Sequence, residues 1–333
     1  MAGSSTEGAA QVAALIARSN RLGSDPAVTN YAGGNTSAKG EEIDPVTGSP
    51  VELLWVKGSG GDLGTLTEKG LAVLRLDRLR SMVGVYRGVE HEDDMVADFD
   101  FCLHGRGGAA PSIDTAMHGL VGANHVDHLH PDAGIAFATA ADGEALTRRC
   151  FGDRVGWIPW RRPGFQLGLE IAEAYRANPG AIGVILGGHG ITAWGATSDE
   201  CEARSLEIIR NAQAFIDANG SPEPFGAPRA GFGALPQAER RRRAAAIAPV
   251  VRGLASTDHR QVGHFDDADE VLDFIAGSKC AHLAELGTSC PDHFLRTKVR
   301  PMLVDLPSDS GVEEVVARMG ELHVAYRADY QAY

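Results

Sequence analysis

The 333-residue sequence predicts an α/β or α+β domain followed by a smaller C-terminal extension that is itself mixed α/β. Three observations carry this. Strand-like and helical signals alternate up to about residue 218. The Gly- and Pro-rich stretch "NGSPEPFGAPRAGFGALP" (219–236) then reads as a linker or surface loop. A further section with its own run of signals follows, so the expected boundaries are 1–218, 219–236 and 237–333. At 44% hydrophobic residues the chain can bury a sizeable core, and it contains no internal repeat.

Taken in order, the opening segment places Val12, Leu15 and Ile16 at helical spacing, the mark of an amphipathic first helix. It has neither a basic n-region nor a continuous apolar core, so no secretory signal is expected. "VELLWVKG" (51–58) and "AIGVILGG" (181–188) are apolar runs that end in glycine and read as buried strands. Helices are expected over 67–86, with Thr67 as cap, over 112–121, and over 198–218. In the last, Ser198 is the expected N-cap, Asp199 and Glu200 supply first-turn acids and Gly220 is the stop. Between them "GANHVDHLH" (122–130) fits a short buried segment through Val126 and Leu129. The extension reads as a helix over 237–250, a mixed stretch, a strand-like "RPMLVDLP" and a terminal helix from about 311.

A formal charge of −13 with no evident basic face argues against a nucleic-acid or anionic-membrane partner. The basic run "ERRRRAAA" (239–246) is either a solvated helix face or a binding patch. No apolar run approaches the ~20 residues of a membrane span. The five cysteines, at 102, 150, 201, 280 and 290, lack CxxC spacing and suit a reducing, cytoplasmic compartment.

The clearest chemical signal is "HVDHLHPDA", with histidines at 125, 128 and 130 out of twelve in the chain. His128 and His130 are two apart, so an extended segment turns both imidazoles to one face, where they can chelate one ion. Catalytic zinc takes three protein ligands and keeps a position open. "GVILGGHGITAWG" supplies a third candidate in His189, at the mouth of a buried strand and framed by glycines. His125 is either a hydrogen-bond partner of a ligand or a surface residue. "HLHPD" also opens an HxHxDH metallo-hydrolase signature, but Ala133 stands where that signature needs its final histidine.

With these segments on the page, "GGNTSAK" (33–39), "VKGSGGDL" (56–63), "PSIDTAMH" (111–118), "HVDHLHPDA" and "GGHGITAWG" occur in the order found in the class II aldolase/adducin-like family. The chain more narrowly resembles the aldolase half of bifunctional rhamnulose-1-phosphate aldolase/short-chain dehydrogenase proteins. The resemblance implies a three-layer α/β fold, a central and largely antiparallel sheet with helices on both faces, and assembly as a homo-oligomer, usually a tetramer. It implies Zn²⁺ held by His128, His130 and His189, and cleavage of a ketose 1-phosphate, rhamnulose 1-phosphate in this subfamily, to dihydroxyacetone phosphate and lactaldehyde. The family's proton-moving glutamate is matched by Asp114, one methylene shorter, which also reads as a helix N-cap. Asn35, Ser59, Gly60 and Ser112 match the phosphate contacts. Lys39 and Lys57 either add charge there or are solvated lysines.

Some family members use a tyrosine after the histidine pair to protonate the leaving aldehyde. The comparable "DRVGWIPWRRPG" (153–164) has none and offers Trp157, Trp160, Arg161 and Arg162 instead. In the bifunctional relatives a dehydrogenase domain follows, and this chain ends at "YRADYQAY", about where that would begin. "GRGGAA" (105–110) fits a dinucleotide fingerprint by letter, but without a strand before it or a βαβ unit around it, so a loop without nicotinamide binding is expected. Two other functions stay open. One is a sugar-phosphate epimerase or dehydratase on the same site; the other is a non-catalytic scaffold like the adducin head.

Overall fold

The computed structural model describes residues 6–105 and 108–333. Residues 106–107 of the glycine-rich "GRGGAA" lie outside the described residues. The chain divides into two compact units, one through Asn219 together with Ser289–Asp292, the other Gly220–Thr288 with His293–Tyr333.

The first unit opens with α1 (Thr6–Gly23), then β1 (Asn35–Ile43), β2 (Pro50–Lys57) and β3 (Leu71–Arg75). Helices α2 (Leu76–Ser81), α3 (Glu92–Asp98) and α4 (Thr115–Leu120) lead into β4 (His125–Leu129). Then come α5 (Asp132–Thr139), α6 (Gly143–Phe151), β5 (Val155–Ile158), α7 (Phe165–Ala177), β6 (Gly183–Leu186), β7 (Gly190–Gly195) and α8 (Ser198–Asn219). The strands form one open sheet in the order β3-β2-β1-β4-β7-β6-β5. Every pairing is antiparallel except β5 with β6.

Helices cover both faces, giving three layers. The alternation of side chains along a strand decides which residue meets which layer. Leu129, Ile185 and Ile191 point to one face and pack with Phe137 of α5, Phe151 of α6 and Ile208 of α8. Val126, Val184 and Trp194 point to the other, against Met117 of α4 and Ile171 of α7. Toward the β3 edge, Leu53 and Trp55 meet Leu15 of α1 on the first face, while Leu54 and Val56 meet Leu79 and Phe99 on the second. Val12, Leu15 and Ile16 form the buried stripe of α1 that their spacing predicts.

Several elements differ from expectation. The helix read over 67–86 is instead a 3-10 turn over Glu68–Gly70, then the strand β3, and is α-helical only from Leu76. Leu71 and Leu74 satisfy helical spacing, but pairing with β2 sends Leu71 to one face of the sheet and Ala72 and Leu74 to the other. Thr67 makes no side-chain capping bond. β1 lies in polar sequence that gives no strand signal, yet Asn35–Lys39 are buried because β2 and β4 flank them on both sides. The cap of α8 is Thr197, whose Oγ1 accepts from the Glu200 N–H at 3.2 Å. The Ser198 hydroxyl is engaged elsewhere, accepting from Arg18 at 2.7 Å.

The remaining helices are α9 (Gln237–Ala255), α10 (Asp269–Ala276), α11 (Cys280–Leu286), α12 (Pro291–Arg296) and α13 (Val312–Ala332). All but Pro291 and Asp292 of these belong to the second unit. "RPMLVDLP" is not a strand. Among the described residues this unit has no strand to offer it a ladder, so its apolar side chains lie half-buried in irregular chain. Arg240, Arg242 and Arg243 of the basic run are engaged within their own unit. Glu239 bonds Arg242 and Arg243, Asp267 pairs with Arg240, and Arg243 also donates to the Ser308 and Ser310 carbonyls. No helix among the described residues is long and apolar enough to cross a membrane.

The centre of the sheet is tied to α1 by an ion pair with no exposure. Arg18 Nε donates to Asp127 Oδ1 at 2.9 Å, and its other nitrogens reach the Ser37 carbonyl and Ser198 Oγ. Ser205 Oγ donates to the second Asp127 oxygen at 3.0 Å. Removing one partner strands the other charge in a dry interior, so Asp127→Ala is expected to lower the unfolding free energy by about 3–5 kcal/mol. Glu52→Ala, which breaks the exposed Arg80–Glu52 pair, should cost at most about 1 kcal/mol. Urea midpoints of the two variants check the contrast.

Candidate metal centre

Three imidazoles meet at the end of the sheet. β4 sits between β1 and β7, every residue of it is buried, and antiparallel pairing sets His128 opposite Asn35 on one side and Thr192 on the other. His130 follows the strand immediately. His189 arrives from the turn between β6 and β7. The Nε2 of His128 lies 3.0 Å from that of His130 and 3.1 Å from that of His189. All three residues are buried.

The outer nitrogens decide the tautomers. His128 Nδ1–H donates to the Ile191 carbonyl at 2.9 Å, and His130 Nδ1–H donates to the carboxylate of Asp292. With Nδ1 protonated in both rings, each Nε2 carries a lone pair, so the 3.0 Å contact sets two acceptors face to face. A cation between them removes that repulsion. Nitrogens bound to one tetrahedral zinc at its usual bond length stand about 3.3 Å apart, close to the spacings seen. The donor set therefore fits a divalent transition ion. Gly190 is required here, because a Cβ on it would lie 2.7 Å from His130 Cδ2 and 2.5 Å from the Leu129 carbonyl oxygen.

Burial disfavours the charged form of His128 and His189, leaving them in the state a metal needs. His128 is held down to about 4, by burial first and the neighbouring His130 second, with Asp114 opposing. His189 is pushed well below the ordinary range by burial and by the other two rings.

Beside the cluster lies a hydrogen-bonded relay. His118 on α4 donates from Nε2 to Asn35 Oδ1 at 2.7 Å and bonds Ser37 Oγ through Nδ1 at 2.8 Å. The Asn35 amide, oriented by that bond, donates to Asp114 Oδ2 at 3.0 Å and to Ser112 Oγ at 3.3 Å. Asp114 stands at the N-cap position of α4 but makes no side-chain capping bond, so the capping alternative falls. Its Oδ1 is buried without a hydrogen-bond partner among the described residues, as is Nδ1 of His189.

Asn35, Ser112 and Asp114 are thus brought together next to His128. Ser59 and Gly60 lie on the exposed loop after β2, joined to the approach to Ser112 by the Ser59 N–H, which donates to the Ala110 carbonyl at 2.8 Å. Lys39 is buried rather than solvated. Its ammonium donates to the Val121 and Ala123 carbonyls at the end of α4, and burial lowers it to about 7. Lys57 is buried too, near its neighbour's carbonyl at 3.4 Å. His125 is not on the surface. Strand alternation turns it to the opposite face of β4 from His128, where it bonds Arg18 at 3.1 Å. Of the residues after the histidine pair, Arg161 and Arg162 pair with Glu170 and Asp93. Trp160, mostly exposed, packs on Gly188 next to His189.

Sequence reading missed His118 and Asp292. The first had a signal: Asp114 and His118 are four apart and share a helix face. The second had none, being 162 positions from the imidazole it contacts.

Burial also sets the pH response of the metal-free protein. His118 is held well below the ordinary imidazole range, first by burial and then by His128. His125 is lowered to about 4, by burial and then by the Arg18 and Lys39 charges. Below about 6.5 the unfolded chain binds protons that the folded chain refuses, so stability falls with falling pH, by up to about 1.4 kcal/mol per pH unit for each such ring. Urea midpoints of metal-free protein should drop between pH 7 and pH 5; a midpoint that holds or rises contradicts neutral rings.

Comparison with known proteins places these features in context. Residues 14–216 match the family model described as Class II Aldolase and Adducin N-terminal domain, and residues 242–333 match Aldolase class II, second domain. A Bacillus subtilis (strain 168) protein named uncharacterized oxidoreductase YuxG is 36% identical over 321 residues, 96% of this chain and 46% of that protein. The chain thus spans less than half the length of that relative. The solved N-terminal class II aldolase domain of a conserved Thermoplasma acidophilum protein superposes with a TM-score of 0.55 at 27% identity, covering 62% of this chain and 93% of that one.

Proposed function

The chain belongs to the class II aldolase and adducin family, and from that membership and its three-imidazole cluster we propose that it is a metal-dependent aldolase acting on a ketose 1-phosphate. The substrate proposed is rhamnulose 1-phosphate, cleaved to dihydroxyacetone phosphate and lactaldehyde. The enzyme would act as a cytoplasmic homo-oligomer. The observation that carries the reading is the convergence of the three Nε2 atoms beside a carboxylate with an unpartnered oxygen.

His128, His130 and His189 would hold the ion, zinc by the nature of the donors. Three neutral ligands would leave a bound divalent ion its full double charge, and the chemistry it would supply is Lewis-acid stabilisation of the negative charge that cleavage develops. The protein's own groups do the rest. Asp114 would deliver a proton to the carbon freed by cleavage, balancing the one lost by the hydroxyl that becomes the aldehyde, and would remove it in the reverse direction. Its oriented oxygen is Oδ2, held by Asn35, which leaves Oδ1 for the substrate. The His118–Asn35 bond keeps that amide from flipping and so keeps the carboxylate aimed. The phosphate is assigned to Ser59 and Gly60, with Ser112 and Asn35 at the inner end. An exposed glycine loop offers backbone N–H groups to an anion at little steric cost.

An epimerase or dehydratase would use the same site, and the products separate them: dihydroxyacetone phosphate with lactaldehyde supports cleavage, and an epimer without it rejects cleavage. A non-catalytic scaffold has no use for bound metal, so stoichiometric zinc in purified protein argues against it. His189→Ala is expected to lose both zinc retention and turnover. Asp114→Asn should keep zinc while turnover falls about 10²–10⁴-fold, the usual contribution of a positioned proton donor. Metal analysis and a coupled assay for dihydroxyacetone phosphate read both. A His189→Ala variant that keeps zinc and full activity would show the third ligand to be misassigned.

A further inference from the structure

The ring of His130 is oriented by a residue that arrives from far along the chain. Asp292 lies in the stretch matched by the second-domain family model, yet Ser289–Asp292 packs as part of the first unit. Its carboxylate is buried and accepts from His130 Nδ1–H. Two further observations show that this stretch is fitted to its place. A Cβ on Gly33 would fall 2.1 Å from Asp292 Oδ2, so only glycine at that position leaves room for the carboxylate. Two residues before Asp292, Cys290 is buried and its Sγ accepts from Asn30 Nδ2 at 3.5 Å. The loop of residues 29–34 therefore touches this segment, and it also touches His130, whose backbone N–H donates to Thr29 Oγ1 at 3.4 Å.

We propose that Asp292 is a positioning residue for the metal centre: it fixes the His130 tautomer with Nε2 unprotonated, locks the ring's direction and raises its strength as a ligand. A carboxylate on the far nitrogen of a ligating imidazole pulls electron density toward the ion-facing nitrogen. The three rings differ in this respect. His128 has neutral groups behind it, the Ile191 carbonyl and the Thr192 hydroxyl, and His189 Nδ1 has no partner among the described residues. His130 is thus the ring with an anionic support, and the negative charge also offsets part of the ion's charge in a buried site. Gly33 serves the same end by leaving the carboxylate its space. The inference rests on the metal reading given above.

The test is a zinc-affinity measurement on the full chain, by competition with a chromophoric chelator, which needs no substrate. Asp292→Asn keeps the size of the side chain and one acceptor but removes the charge; it should weaken zinc binding about 10–100-fold, the usual effect of losing such a partner. Asp292→Glu should recover less than wild-type affinity because the longer acid meets Gly33. Gly33→Ala, which displaces the carboxylate without altering it, should reproduce the loss. Should Gly33→Ala fail to fold, Asp292→Asn decides. Wild-type zinc affinity in Asp292→Asn overturns the proposal whatever happens to stability, since a merely structural aspartate would change unfolding and not metal binding. Wild-type protein that binds no zinc at all overturns the metal reading itself, and this inference with it.

Discussion

Three imidazoles whose inner nitrogens lie 3.0–3.1 Å apart in a dry interior cannot carry two positive charges between them. Two protonated rings at that distance would repel strongly at low dielectric, and each would also lose its hydration. Neutrality alone is not enough, since two facing lone pairs also repel. The arrangement holds because the backbone imposes it and because a cation can satisfy it. Much of the first unit reads as the means of imposing it. β4 is paired on both sides, its register is locked by the side chains it buries on each face, and the β6–β7 turn brings His189 over the end of the strand.

The two faces of β4 divide the work. On one, Asp127 meets Arg18, Ser205 and, through Arg18, His125 and Ser198. Such a network gains little net stability over an apolar core, but it is costly to break and so makes a slipped register expensive. On the other face, the same strand presents His128 to Asn35 and α4. A one-residue slip would exchange the faces, placing Asp127 among the imidazoles and His128 beside Arg18. The polar network on the anchoring face thus bears on the geometry of the chemical face without touching it.

The candidate site was legible in part. His128 and His130 follow from the two-residue period of an extended segment, and His189 from its place after an apolar strand that ends in glycines. Asp114 and Ser112 came through likeness to a family, and the structure adds what likeness does not contain: the Asn35 and His118 bonds that aim the carboxylate. His125 was drawn toward the cluster by adjacency in sequence, which strand alternation reverses. Lys39 was drawn toward a glycine loop, but its strand carries the ammonium to the end of α4 instead. The β3 error has a similar cause. Leu71 and Leu74 suit either period, and only the ladder from β2 chooses between them.

What the sequence determined by itself was local. It set which segments are apolar and with what period, where helices stop, which residues are able to bind a metal, and that two of them share a face. These follow from interactions between residues a few positions apart, which the chain order records directly. Tertiary structure alone decided that polar β1 is a central strand, that "RPMLVDLP" is not a strand, that Arg18 closes on Asp127, and that Asp292 stands behind His130. Each of these depends on partners brought together from distant parts of the chain, or on the absence of a neighbouring strand within a unit. Hydrogen bonds and ion pairs are short-ranged, so a carboxylate 162 positions away leaves no trace in the pattern around the histidine it orients.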